Sequence, residues 1–165
     1  MGGMNMGMIL ILALVAAAIG SGIVAGIFFA FSTFIMTAFS RIPPEQGIAA
    51  MNSINVTIVR SPFMLIFVPT AILCVLIAVL AIIDWRGGSS VWMLAGASLY
   101  VIASFISTIV FNVPMNDALA KVSGNGAEAV SVWNTYLKDW TWWNHVRTIA
   151  SLLSAIAFVR ALMVL

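Results

Sequence analysis

No charged side chain occurs between Met1 and Ser40. Backbone polar groups in hydrocarbon must pair among themselves, so so long an uncharged apolar run has one viable form, a membrane-spanning helix. A span needs about 20 mostly apolar residues. Four windows qualify: roughly 6–38, 63–83, 91–113 and 144–165. The first exceeds what a bilayer requires and should tilt or project beyond it. No basic residue precedes it, and it outlasts a signal h-region, so it is expected to be retained as a helix. The expected fold is all-α. It is a single domain over 1–165, a four-transmembrane-helix bundle with short amphipathic helices in the two long loops capping one end.

Composition bears on the partners. Only 7% of the 165 residues are charged, against roughly a quarter in a soluble domain. Such a chain cannot cover a water-facing surface. It is expected in membrane lipid as a multi-pass protein. The formal net charge of +2 comes from scattered Arg and Lys. There is no basic run, so nucleic acid is not an expected partner. The single cysteine, Cys74, excludes an internal disulfide and sits mid-helix, where an inert buried thiol is expected.

The connections are unequal. Asp84 to Ser90 reads as a tight turn. The loops 39–62 and 114–143 are long and fall on the same side. In the first, Pro43-Pro44-Glu45 resembles a helix start, and Ile48, Met51, Ile54 and Ile58 follow at helical spacing. In the second, Pro114 is expected to end the third helix. Ser123-Gly124-Asn125-Gly126 is expected to break the loop into two short helices. The later piece, 127–140, would present Val130, Trp133 and Leu137 on one face. Any pocket should open or be roofed at this capped end. The cap side carries Arg41, Arg60, Lys121, Lys138 and Arg147, against Arg86 and Arg160 on the other. That favours a cytoplasmic cap, unless Arg147 or Arg60 is buried for function.

Polar residues form stripes. Asn144, Arg147, Ser151 and Ser154 share one face of the fourth helix. Tyr100, Ser104, Thr108 and Asn112 recur at steps of four on the third, with Asn116 just beyond. The first offers Gly22, Gly26, Ala30 and Thr33, with Ser32 and Ser40 nearby. These stripes should face one another rather than lipid. The Ser and Thr hydroxyls serve either as polar glue between helices or as part of a site. Gly22 and Gly26 have the spacing for close helix packing, and that face is also where self-association is expected. Asn112, Asn116, Asn144 and Arg147 are costlier groups gathered at one depth, which points to a site.

His145 is the only histidine. It is either a satisfied interfacial polar residue or a ligand or base. On an ideal helix it points about 200° from Arg147, so the two need not line one pocket. Trp133, Trp140, Trp142 and Trp143 would suit an aromatic belt, and two of them would equally wall a planar apolar ligand. One Cys and one His cannot build a structural zinc site, and no Glu-x-x-His pair supports a di-iron bundle. No metal or other cofactor is expected, although haem on His145 stays open.

Four stretches carry a resemblance. They are Ala25-Gly26-Ile27-Phe28-Phe29-Ala30-Phe31-Ser32-Thr33-Phe34, Gly47-Ile48-Ala49-Ala50-Met51-Asn52-Ser53-Ile54-Asn55, Asn112-Val113-Pro114-Met115-Asn116, and Trp140-Thr141-Trp142-Trp143-Asn144-His145-Val146-Arg147-Thr148. Together, across nearly the whole chain, they resemble the anthrone oxygenase-like family of small four-helix membrane proteins. The Asn-Val-Pro-x-Asn and Trp-Asn-His-x-Arg motifs are its most specific parts. The resemblance implies oxidation of anthrones to anthraquinones, as in fungal relatives; many bacterial relatives have no assigned substrate. It implies a cofactor-independent monooxygenase acting with O2 on a hydrophobic anthrone- or hydroquinone-like aromatic. A base removes the acidic C–H proton, and the carbanion meets O2. His145 would be that base, since imidazole takes up a proton readily near neutral pH. Arg147 with Asn112, Asn116 or Asn144 would hold the oxyanion. Trp140, Trp143, Tyr100, Thr108, Ser151 and Ser32 would line the substrate.

Two other readings compete. One is a non-enzymatic lipid- or quinone-binding or assembly subunit of a membrane complex. The other is a transporter or channel, which the lack of an intramembrane acid disfavours for ion coupling.

Overall fold

The computed structural model describes residues 6–122 and 126–165. Among them every regular element is helical. Four helices are long and apolar enough to cross a membrane: α1 (Met6–Phe39), α3 (Met64–Ile83), α4 (Gly88–Ala120) and α5 (Ala127–Met163). A shorter helix, α2 (Pro44–Val59), lies in the first long loop. The long helices form one bundle in which α1 and α4 each pack on both α3 and α5. Leu14, Val24, Cys74, Ile77, Met93, Tyr100 and Phe158 fill its core. Side chains pointing outward, such as Ile19, Phe29, Leu65, Ile72, Ile102 and Ile156, are also apolar. Helices apolar on all sides suit lipid rather than water.

Start signals match the elements they open. Pro44 occupies the first turn of α2, and Glu45 stands in that turn near the positive end of the helix dipole. Gly87, the residue before α4, has φ +61°, a conformation that only glycine enters freely. It closes the turn from α3 together with the hydrogen bond from the Arg86 amide to Ser90 Oγ at 2.8 Å.

Three expectations change. Pro114 does not end its helix, because α4 continues to Ala120. Proline removes one backbone donor. The turns just before it, Thr108–Asn112, are π-helical, and their wider register absorbs the missing bond. Second, 127–140 is no separate piece but the first part of the 37-residue α5. No Gly or Pro interrupts 127–163, so nothing stops the helix. At 1.5 Å per residue it is about 55 Å long, well beyond a hydrocarbon core of about 30 Å. The buried face of that first part is Ala129, Trp133, Tyr136 and Trp140, not Val130, Trp133 and Leu137. The expected break at 123–126 lies, but for Gly126, outside the described residues.

The third concerns helix packing. Gly22 and Gly26 face outward, and a Cβ on either would meet nothing within 4 Å. They do not bring helices of this chain together. Gly20 does so against Thr70, Gly96 against Phe158, and Gly47 against Trp133. The Gly47 contact seats α2 on α5 and forms a second apolar cluster of Met36, Ile48, Met51, Leu119, Trp133, Tyr136 and Trp140.

Candidate functional site

Beneath α2, at that end of the bundle, lies a cavity of about 310 Å³, within the lower range of small-molecule sites. Ile27, Phe28 and Phe31 of α1 form one wall, and Phe63, Met64 and Phe67 at the start of α3 another. Met51, Ile54, Asn55 and Ile58 of α2 make the roof. Phe105, Thr108, Ile109 and Asn116 of α4 and Trp140 and Arg147 of α5 complete it. The lining is mostly apolar and aromatic, with a few polar groups.

Arg147 is the centre of those groups, and it is 3% exposed. Its guanidinium carbon stands 4.3 Å from the Phe28 ring centroid and 4.9 Å from that of Trp140. Nη2 donates to Asn144 Oδ1 at 2.7 Å, and Nη1 makes a long contact to Thr108 Oγ1 at 3.4 Å. Nε has no partner. A cation within hydrocarbon costs at most about 2.5–3.5 kcal/mol on insertion scales, the value at the centre of a span. Two ring faces at roughly 0.5–2 kcal/mol each, with one charge-assisted hydrogen bond, are enough to offset that.

Asn144 holds this arrangement and does not itself line the cavity. Its amide nitrogen donates to the Phe28 carbonyl at 2.6 Å and to Ser32 Oγ at 2.7 Å. Ser32 Oγ lies 3.1 Å from Thr148 Oγ1, which donates back to the Asn144 carbonyl. Two residues of the site, Arg147 and Phe28, are thus fixed by one buried amide that ties α1 to α5. Below them, Ser151 donates to Ser104 at 2.8 Å and Ser154 to the Gly96 carbonyl at 2.8 Å. The polar stripes of α4 and α5 face each other there. The π-helical turns of α4 help. Steps of four residues drift about 40° each on an ideal α-helix, and wider turns reduce the drift.

Only some of the residues singled out from the sequence reach the cavity. Arg147, Asn116, Trp140 and Thr108 line it. Asn112 is buried and donates to the Trp140 carbonyl at 3.2 Å, so it positions that ring's helix instead. Tyr100 donates to the Phe67 carbonyl at 3.1 Å. Tyr100, Ser151 and Ser32 are structural partners outside the cavity wall. Trp143 stacks on Phe111 at 3.6 Å between centroids, away from the cavity. His145 is half-buried, is not on the cavity wall, and its ring has no hydrogen bond among the described residues. One residue on from Asn144, it is turned about 100° off the inward stripe.

Three residues of the site were not singled out. Phe28 gives Arg147 one of its two ring faces. Tyr136 stacks on Trp140 and donates from its hydroxyl to Asn116 Oδ1 at 2.7 Å. Asn55 sits on the roof. Each had a signal: Phe28 lies within a motif stretch, and Tyr136 precedes Trp140 by four. Asn55 is the polar member of an otherwise apolar α2 stripe, Met51, Ile54, Asn55 and Ile58.

The lining holds no Asp, Glu, His or Lys among the described residues, and no cluster of three or more metal-ligating side chains occurs among them. What the arrangement offers is an apolar slot with a guanidinium fixed at one side. It can hold a planar molecule and stabilise negative charge on one of that molecule's oxygens. A family model described as anthrone oxygenase matches residues 63–157. No curated protein and no solved structure matches the chain.

Proposed function

The chain belongs to the anthrone oxygenase family, and on that premise we propose that it is a membrane-embedded, cofactor-independent oxygenase of a planar hydrophobic aromatic ketone of the anthrone type. We place it in a bacterial plasma membrane. The observation that carries the reading is Arg147, buried between the Phe28 and Trp140 rings on the wall of an otherwise apolar cavity. The substrate's rings lie in the slot and its carbonyl oxygen meets the guanidinium. An anthrone loses a proton from the ring CH2 opposite that carbonyl, and the negative charge spreads onto the oxygen. Preorganised positive charge in a dry site favours that anion more than the neutral ketone. The carbanion adds O2, and the peroxide takes up a proton. Loss of water from the hydroperoxide then leaves the second carbonyl. One oxygen atom stays in the quinone and the other leaves as water.

No ordinary base lines the wall among the described residues, so the acceleration comes from Arg147, and the proton goes to water rather than to His145. O2 uptake with an anthrone by the purified protein tests this. Arg147→Met is expected to lose turnover by about 100-fold or more, the scale of removing an oxyanion donor. His145→Ala should stay within about threefold, a surface-level change. Full turnover in Arg147→Met refutes the assignment. The same lack of a base favours a second reading, a lipid- or quinone-binding subunit without turnover. Ligand retention with no O2 uptake by any anthrone would select it.

A further inference from the structure

Three residues on the cavity wall each keep one buried side-chain nitrogen without a hydrogen-bond partner among the described residues: Arg147 Nε, Trp140 Nε1 and Asn55 Nδ2. All three are N–H donors. Asn116, on the same wall, has its amide oxygen taken by the Tyr136 hydroxyl, which leaves its NH2 group for a ligand. Buried donors left unpaired are costly. Their number here, and their single kind, point to a ligand that brings acceptors.

The donors fall into two groups. Arg147 and Trp140 belong to α5 and are stacked on each other. Asn55 comes from α2, and its amide lies near the Tyr136 hydroxyl that engages Asn116 but makes no hydrogen bond of good geometry to it. A single carbonyl oxygen accepts at most two good hydrogen bonds, so one oxygen cannot satisfy both groups. We propose that Asn55, with Asn116, forms a second oxygen-binding position, so that the site recognises a planar aromatic with two acceptor oxygens and holds a quinone better than a monoketone. This rests on the reading in which Arg147 binds the first oxygen. The second position takes the oxygen atom that O2 delivers to the opposite ring carbon. It therefore favours the states that follow oxygen addition over the bound substrate, and it can speed only the steps in which O2 is already bonding to that carbon.

The test is equilibrium binding without O2. The purified protein in lipid nanodiscs is titrated with anthrone, anthraquinone and anthracene, and tryptophan quenching is read. Wild type should bind anthraquinone about tenfold tighter than anthrone, the value of one good hydrogen bond. Asn55→Leu removes the amide. Asn55→Ala removes it at a different side-chain volume and so separates the lost amide from a packing effect. Both should bring the ratio close to one while anthrone affinity holds within about threefold, less than one neutral hydrogen bond. An unchanged ratio in both variants, or no quinone preference in wild type, overturns the proposal. If Arg147→Met weakens both ketones while the Asn55 variants still prefer the quinone, the second position is refuted and the role of Arg147 stands. Anthracene bound as tightly as either ketone removes both.

Discussion

Asn144→Leu should unfasten the site without touching the cavity wall. The substitution keeps roughly the same volume and deletes three short hydrogen bonds, one from Arg147 and two to Phe28 and Ser32. The bond from the guanidinium is charge-assisted and contributes about 1.5–3 kcal/mol. The two neutral bonds average about 0.6 kcal/mol each inside membranes. Asn144→Leu alone should therefore cost about 3 kcal/mol. In an Arg147→Met background only the neutral pair remains to be lost, and the same change should cost about 1 kcal/mol. The coupling between the two positions is then about 2 kcal/mol, well outside the additivity of independent sites. Reversible unfolding of the four proteins in mixed micelles gives the cycle. Additivity within about 0.5 kcal/mol would show that the Asn144–Arg147 bond does not organise the site, and the account of Arg147 would fall with it.

Arg147→Lys should lose most of the turnover, about 100-fold, because an ammonium can neither lie flat between Phe28 and Trp140 nor reach Asn144 and Thr108 together as the two Nη atoms do; single-turnover kinetics with an anthrone checks it. Gly47→Ala should destabilise the protein by about 1–3 kcal/mol through overpacking against Trp133, whereas Gly26→Ala should leave thermal stability within about 0.5 kcal/mol. Gly26→Leu, read by single-molecule photobleaching in vesicles, should abolish any self-association through the outward Gly22/Gly26 face and leave the monomer folded. A chelator should leave O2 uptake unchanged, and the purified protein should show no Soret band. A Soret band lost in His145→Ala would replace the cofactor-free reading with haem ligation.

The spans were legible because hydrocarbon imposes length and composition, and both are written in runs such as Phe63–Ile83. The pairing of stripes was legible for the same reason, since Ser104 and Ser151 have no acceptable neighbour in lipid. Depth and element ends were less so. Pro114 reads as a stop by its missing donor, yet the wide turns before it let α4 continue. Whether a proline stops or is absorbed depends on neighbouring turns, which periodicity does not show. Trp143 and Trp140 are three residues apart and equally aromatic. Only the partner Phe111 on α4 decides that one stacks away from the cavity and the other lies under Arg147. Asn55 was hidden by its loop: a polar residue on a short helix looks solvated until α2 is known to roof a cavity.

The run Trp140-Thr141-Trp142-Trp143-Asn144-His145-Val146-Arg147 looks like one motif, but helical geometry divides it. Positions 133, 136, 140, 144, 147, 151, 154, 158 and 161 are all buried, at steps of three and four, and make one inward stripe along α5. Along that stripe the chemistry changes from aromatic to amide and guanidinium, then to hydroxyl, then to apolar. A cation is tolerable only where rings and an amide can both reach it, and those neighbours exist only at the aromatic-to-hydroxyl transition. Moved one turn toward Trp140, the guanidinium would displace Asn144 and its tie to α1. Moved one turn on, it would meet Ser104 and lose both ring faces. The position of the charge is thus set by the order of residues on one face of one helix. His145, one step off that face, is free of the constraint.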